Sequence, residues 1–200
     1  MDTMQFTRVK VKPADLEEIL IGAATHSHKK DDLASLNGVK IWVKDNRFTV
    51  TATDRYRLIE GSLTLEDDGA IFEESLISLA SVKSILDLIK GQKWHEITLT
   101  RREDKIEVTY RDVAITLPVV SWGTFPPTDH LFDAAESASE PELGSGYSFN
   151  PSFFADYAKI VGKGKGVQII PTAKNKPYKV ILNGNKVIWR ALLMPMKVSE

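Results

Sequence analysis

Thr51-Ala-Thr-Asp-Arg-Tyr-Arg-Leu58 ends one strand, turns, and begins another. Thr49 to Ala52 alternate as a strand does, and Asp54-Arg55 breaks the pattern as a turn. Tyr56, Arg57 and Leu58 then open the next strand. An aromatic ring, a long cation and a leucine beside one turn make the rim and floor of a shallow pocket. The C-terminal segment Leu192-Leu-Met-Pro-Met-Lys-Val198 is the second apolar piece of interest. Its two methionines flank a proline. Methionine is flexible and polarizable, which suits a surface that accepts several apolar partners.

Working outward from that stretch, Val39-Lys-Ile-Trp-Val43 reads as a strand, with Asp45-Asn46 as a hairpin turn into Arg47 to Ala52. Upstream, residues 4–11 alternate as a strand. Pro13 suits the first position of a helix whose apolar face is Leu16, Ile19, Leu20 and Ala23. His26 to Asp32 reads as a polar loop. Downstream of Tyr56 to Leu65 the order recurs. Ala70 to Ser75 reads as a strand, and Ser81 as the cap of a helix carrying Val82, Ile85, Leu86 and Ile89 and ending at Gly91. Glu96 to Thr100, Lys105 to Tyr110 and Val113 to Val119 read as three further strands. A third copy runs from Tyr147 to Phe149 through a helix capped by Asn150-Pro151. Its strands are Val167 to Ile170, Tyr178 to Leu182 and Val187 to Leu193, with Asn183-Gly184 as a hairpin turn. The organisation is therefore three strand–helix–strand–strand–strand repeats, an α+β pattern. Thr128 to Ser145 is rich in Ala, Ser, Glu and Pro and reads as a linker. The expected division is 1–128 as two repeats, 129–145 as linker and 146–200 as one repeat.

Two hundred residues with an apolar fraction of 42% are enough for a real core. There are no cysteines, so disulfides and cysteine–zinc sites are excluded, which fits a reducing cytoplasm. No apolar run reaches the roughly 18 residues of a membrane span. The N-terminal residues have neither the cationic nor the apolar region of a signal peptide. A net charge of −1 says nothing as a total; a nucleic-acid partner would require segregated charge.

Four motifs carry a family resemblance. Ala52-Thr-Asp-Arg-Tyr-Arg-Leu58 resembles the Ala-Thr-Asp-Gly-(His/Tyr)-Arg-Leu signature of the bacterial DNA polymerase sliding clamp, the beta subunit. Met194-Pro-Met-Lys-Val198 resembles that family's C-terminal Met-Pro-(Met/Val)-Arg-Leu. Leu36-Asn-Gly-Val39 and Gly123-Thr-Phe-Pro126 resemble two further segments of the middle clamp domain, in the family's order. The resemblance implies a DNA-clamp fold with antiparallel sheets outside and helices inside. It implies a pocket for a partner peptide at Leu36, Thr53, Arg55, Tyr56, Arg57, Leu58, Pro126, Met194, Pro195, Met196 and Lys197. It also implies sequence-independent contact with double-stranded DNA through Lys83, Lys90 and Lys93 on or after the second helix, and Lys159, Lys163 and Lys165 on or after the third. The implied partners are a DNA polymerase, other clamp-binding proteins and a clamp loader; no cofactor is implied.

Two substitutions and one truncation depart from the family. Arg55 stands where the family has Gly, and Lys197 where it has Arg, losing bidentate hydrogen bonding. Three repeats stand in place of six, and such shortness points to a viral or mobile-element version. A lone third repeat exposes strand edges. It is therefore expected to pair with the third repeat of a second chain, or less favourably to pack on its own domain. Two such dimers would supply a six-domain ring, a homo-tetramer. The competing function is a clamp mimic that binds clamp-binding peptides without encircling DNA. Leu58, Met194 and Met196 also fit an ordinary core, and the lysines a solvated helix face. Enzyme-like signals fail. His26-x-His28 has no further ligands at metal spacing. Gly162-Lys-Gly-Lys-Gly166 follows a helix instead of preceding one. The carboxylate pairs are sequence neighbours that share no face. No catalysis and no bound metal are expected.

Overall fold

The structure, a computed structural model, describes residues 7–67, 69–121, 123–138, 147–162, 164–173, 176–184 and 186–196. Its first strand β1 (Thr7–Val11) alternates buried and exposed side chains. Helix α1 (Pro13–Thr25) starts at Pro13, whose missing N–H costs nothing there. It buries Leu16, Ile19, Leu20 and Ala23, the face that the spacing marks out. A short 3-10 helix (Asp31–Leu36) leads into β2 (Gly38–Lys44), β3 (Arg47–Thr53) and β4 (Arg57–Thr64). The β2–β3 hairpin turns at Asp45 and Asn46, both at positive φ, as a two-residue primed turn requires.

β5 (Phe72–Ser78) feeds α2 (Leu79–Ile89). The cap is Ser78, not Ser81: its side chain accepts the Ser81 N–H at 3.1 Å, and Ser81 lies buried in the first turn. β6 (Ile97–Arg102), β7 (Lys105–Tyr110) and β8 (Val113–Pro118) complete the second repeat. The expected linker contains a helix, α3 (Asp129–Glu136), with Phe132 and Ala135 buried. α4 (Pro151–Val161) is capped by Asn150, whose side chain accepts the Ser152 N–H, and ends at Gly162 with φ of 80°. β9 (Val167–Ile170), β10 (Tyr178–Leu182) and β11 (Ile188–Leu193) follow. The Asn183-Gly184 turn is longer than a two-residue hairpin, and Gly184 is not in the left-handed region. A Cβ on Gly184 would lie 2.8 Å from the Trp189 indole, so the glycine makes room for that ring.

The sheets exchange strands. β1, from the first repeat, joins the second repeat in the order β1-β6-β7-β8. β5, from the second repeat, joins the first in the order β5-β2-β3-β4. Every link is antiparallel. The two sheets meet where Arg8 bridges Ile71. The third repeat then extends the second sheet, since β11 pairs with β4 from Ile188↔Ser62 to Leu193↔Arg57. The result is one seven-stranded sheet, β5-β2-β3-β4-β11-β10-β9. The third repeat is thus held on its own chain, the alternative that the sequence reading disfavoured. Backbone pairing along β4 satisfies an edge that would otherwise be bare.

One face of the long sheet carries the helices, and α1 touches both α2 and α4. Val39, Ile41, Val43, Phe48, Val50, Ala52, Ile59 and Leu63 point into that layer and are buried. Burying the Val, Ile, Leu and Phe side chains among them contributes roughly 1.5–3 kcal/mol each. Trp189 reaches from β11 into the same core, in a slot walled by Gly22 of α1 and Gly61 of β4. Two glycines allow one indole to join the third repeat to the first.

A candidate partner groove and helix face

The Asp54 turn is built by its own side chains. Asp54 Oδ1 accepts the backbone N–H of Tyr56 at 3.0 Å and of Arg57 at 2.8 Å. Thr53 Oγ1 donates to the Arg57 carbonyl at 2.6 Å and accepts the Arg55 N–H at 3.2 Å. This leaves Arg55 at a φ of 79°, the left-handed region that favours glycine. The sequence departure at Arg55 therefore falls where the backbone most wants glycine. Its side chain is exposed, as is that of Tyr56 at 61%.

Strand alternation then separates neighbours. Leu58 and Glu60 point to the outer face of the sheet, whereas Arg57, Ile59 and Gly61 point to the helix side. Arg57 is 5% exposed and does not rim the groove. Its guanidinium bonds Asp54 Oδ2 at 2.9 Å, Asp156 Oδ2 of α4 at 2.8 Å and the Thr25 carbonyl of α1 at 2.9 Å. It also lies 4.1 Å from the Phe153 ring centre. Burial pushes the Asp156 carboxyl up, but the hydrogen bonds of Lys159 and Arg57 outweigh it and hold the group below the usual carboxylate range. Arg57 is the tie between the turn and the two helices.

His26, read as part of a polar loop, is fully buried in this tie. Its ring stacks on Tyr157 at 5.2 Å, and its Nδ1 lies 2.8 Å from Thr25 Oγ1 and 3.2 Å from the Gly22 carbonyl. Burial, and secondarily the Arg57 charge, push the imidazole down to about 3. Burial also pushes the Tyr157 phenol up. His28 instead lies half-buried with its Nε2 2.7 Å from Asp32 Oδ1. The two histidines diverge, and no group of three metal-ligating side chains occurs among the described residues.

On the outer face, α3 lies across the β4–β11 seam. Leu58 and Leu192, paired across that seam, form a cluster with Phe132 and Ala135. Arg190 anchors the helix. Its Nε is 2.7 Å from the buried Glu60 carboxylate, and an Nη is 3.6 Å from Asp129. Its plane lies 4.1 Å from the Phe132 ring centre. Thr51 donates to the other Glu60 oxygen at 3.1 Å. The Met194 N–H donates to the Tyr56 carbonyl at 2.8 Å, so the two side chains emerge from adjoining strand ends. Met194 and Pro195 are half-buried, and Met196 is 55% exposed. The Met196 N–H is bonded to the Ser148 carbonyl at 2.8 Å. Pro126 is half-buried ahead of α3, Thr53 is buried in the turn, and Leu36 is buried at the end of the 3-10 helix. Lys197 lies outside the described residues.

The expected site residues thus divide. Arg55, Tyr56 and Met196 are exposed, Met194 and Pro195 are half-buried, Leu58 is covered by Phe132, and Arg57 belongs to the other face. The α3 residues Leu131, Phe132 and Ala135 were missed in the sequence. Their signal was there: Thr128-Asp129 before an apolar pair with Ala135 one turn on.

The predicted DNA-contacting lysines are less uniform. Lys83 is exposed on α2 and Lys90 at its C-cap, with Asp87 exposed between them in sequence. Lys93 is exposed just beyond. Lys159 is exposed but bonded to Asp156 at 2.8 Å. Lys165 is exposed after α4, and Lys163 lies outside the described residues. Between α2 and α4, α1 shows Glu17 to solvent, and Lys29 donates to the Ala24 carbonyl at its end. Lys90, Lys93 and Lys165 thus lie just past helix C-termini, where positive charge complements the helix dipole.

Solved structures share this architecture. Superposed on a DNA polymerase sliding clamp from Pseudomonas aeruginosa, 96% of this chain matches with a TM-score of 0.75 at 17% identity, covering 67% of that protein. A DNA polymerase III beta subunit from Thermotoga maritima gives 0.77 at 18% identity, again over 96% of this chain and 66% of that one. The Bacillus subtilis sliding clamp gives 0.75 at 14%, over 100% and 66%. This is the sliding-clamp fold. The chain spans about two thirds of the length of these clamps. No protein-family model and no curated protein matches the sequence. Among the described residues no helix is long and apolar enough to cross a membrane.

Proposed function

We propose that this chain is a sliding-clamp-like processivity factor that tethers a DNA polymerase and related proteins through the groove beside α3. The observation that carries this reading is the position of the exposed Tyr56 and Met196 side chains. They lie on the outer face of a clamp-fold sheet, at the seam where the third repeat joins the first. Tyr56, Met194 and Met196 give that seam an adaptable apolar rim, suited to short peptides with apolar side chains. The helix layer on the opposite face would meet duplex DNA through Lys83, Lys90, Lys93 and Lys159, with Lys163 and Lys165 beyond α4. These contacts are to phosphates and carry no sequence preference. The role is non-catalytic: the clamp raises the local concentration of its tethered partner.

A ring would form from four chains, and a loader would open it. β8 and β9 end the two sheets, and their outer edges bear no strand among the described residues. Those edges are where further copies would add on.

Light scattering across a concentration range, with and without duplex DNA, tests this reading. A tetramer is expected. A monomer under every condition overturns the ring and leaves a peptide-binding mimic.

A further inference from the structure

Trp94 is the most exposed large apolar side chain among the described residues, at 85%. It lies in the short segment between α2 and β6, which leaves the helix through Gly91 at a φ of 73°. The segment is held from beneath. The buried Tyr110 donates from its hydroxyl to Gln92 Oε1 at 3.0 Å. Its ring meets the His95 ring edge-on at 6.3 Å, and the Arg111 guanidinium lies 5.5 Å from its centre. Gln92 and His95, on either side of Trp94, are thus fixed to one buried ring. The indole is presented on a braced support with both faces accessible.

Its own segment and the adjoining β7–β8 turn carry three cations. Lys90, Lys93 and Arg111 are exposed, and none makes an ion pair within the described residues. Glu96 faces a separate groove with Lys12 and Asp15, which leaves Asp112 beside Arg111 and Asp87 on α2 as the nearby acids. An exposed aromatic face in a segment that carries Lys90 and Lys93, with Arg111 held against the Tyr110 ring beneath it, fits a nucleobase and its phosphates. A second copy of this chain would bring like charge against like, so self-association through this corner is disfavoured.

We infer that Trp94, flanked by Lys90, Lys93 and Arg111, is a stacking site for an unpaired base of single-stranded DNA adjoining a duplex. This rests on the reading of α2 as a DNA-facing helix. Single-strand stacking would let the chain favour a junction over uninterrupted duplex, because every base offers a π-face and no sequence is read.

Fluorescence anisotropy at low salt tests the assignment, with a labelled blunt duplex and the same duplex carrying an oligo-dT overhang. Wild type should bind the overhang form about ten-fold more tightly. Trp94→Ala should remove that difference while leaving blunt-duplex binding unchanged, and Trp94→Phe should retain most of it. Equal binding of both DNAs by wild type overturns the stacking site and leaves the clamp reading intact. Failure to bind either DNA overturns both. A Trp94→Ala protein with lower solution mass would reassign the corner to an interface between copies.

Discussion

Trp189 stands directly opposite Gly61 across the β4–β11 ladder, and a Cβ at position 61 would lie 2.5 Å from the indole Cζ3. The largest side chain of the third repeat occupies the space that the first repeat leaves by having no side chain. Glycine is required here for room, since Gly61 has ordinary strand backbone.

Gly61→Ala should therefore lower stability by about 1–3 kcal/mol, the usual cost of overpacking a tight core. Chemical denaturation measures it. Gly69→Ala is the control, because its added Cβ would approach nothing closer than 3.6 Å. Equal midpoints for the two variants would show that the slot is not tight.

Arg57→Ala should be more damaging, by about 3 kcal/mol or more. It leaves the Asp54 and Asp156 carboxylates without their shared cation in a largely buried place. Arg57→Lys keeps the charge but cannot reach both carboxylates and the Thr25 carbonyl at once, so it should rescue only part of the loss. The readout is the denaturation midpoint of each variant. Full rescue by lysine would mean that charge alone matters.

His26 sets the acid limb of stability. In the folded chain its imidazole stays neutral down to about pH 3, whereas in the unfolded chain it takes up a proton near its ordinary value of 6.5. Stability present above pH 6.5 is thus lost as pH falls through that window, at up to about 1.4 kcal/mol per pH unit. Between pH 6.5 and roughly 5.5 ordinary carboxylates remain almost wholly ionised. His26→Phe should flatten that part of the profile by close to one proton. An unchanged slope in urea titrations over that range would place the proton uptake elsewhere.

Arg55→Gly should raise stability by up to about 1 kcal/mol. It relieves a left-handed residue, and the gain is offset in part by the extra freedom of glycine when unfolded. The Arg55 side chain is exposed, so little packing is lost. A lower melting temperature would mean that the arginine makes up for its backbone cost through contacts of its own.

Local signals were readable wherever they were complete in themselves. The Asp45-Asn46 turn, the apolar face of α1 and the Asn150-Pro151 start of α4 are each fixed by a few adjacent residues. Ser78 and Ser81 both satisfy the rule for a helix cap, and only the packed structure selects between them. Arg57 shows a signal present but overridden. Period-two alternation already sets it opposite Leu58, yet nearness in sequence grouped the two in one pocket. His26 had no local signal. Its burial depends on Tyr157, more than a hundred residues away, and hydrophilic composition does not report who covers a loop. α3 was hidden by composition: alanine, serine and glutamate dominate its neighbourhood, and the buried face is only Phe132 and Ala135.

The β4–β11 ladder has a mechanical consequence. A junction held by side chains alone can roll or slide, but a junction made of strand pairing bends only with the twist of the whole sheet. Swinging the third repeat away would break the backbone bonds from Ile188 to Leu193 and draw Trp189 from its slot together. The first and third repeats are therefore parts of one continuous sheet. Any closed assembly of such chains would have to part between molecules, leaving every chain intact.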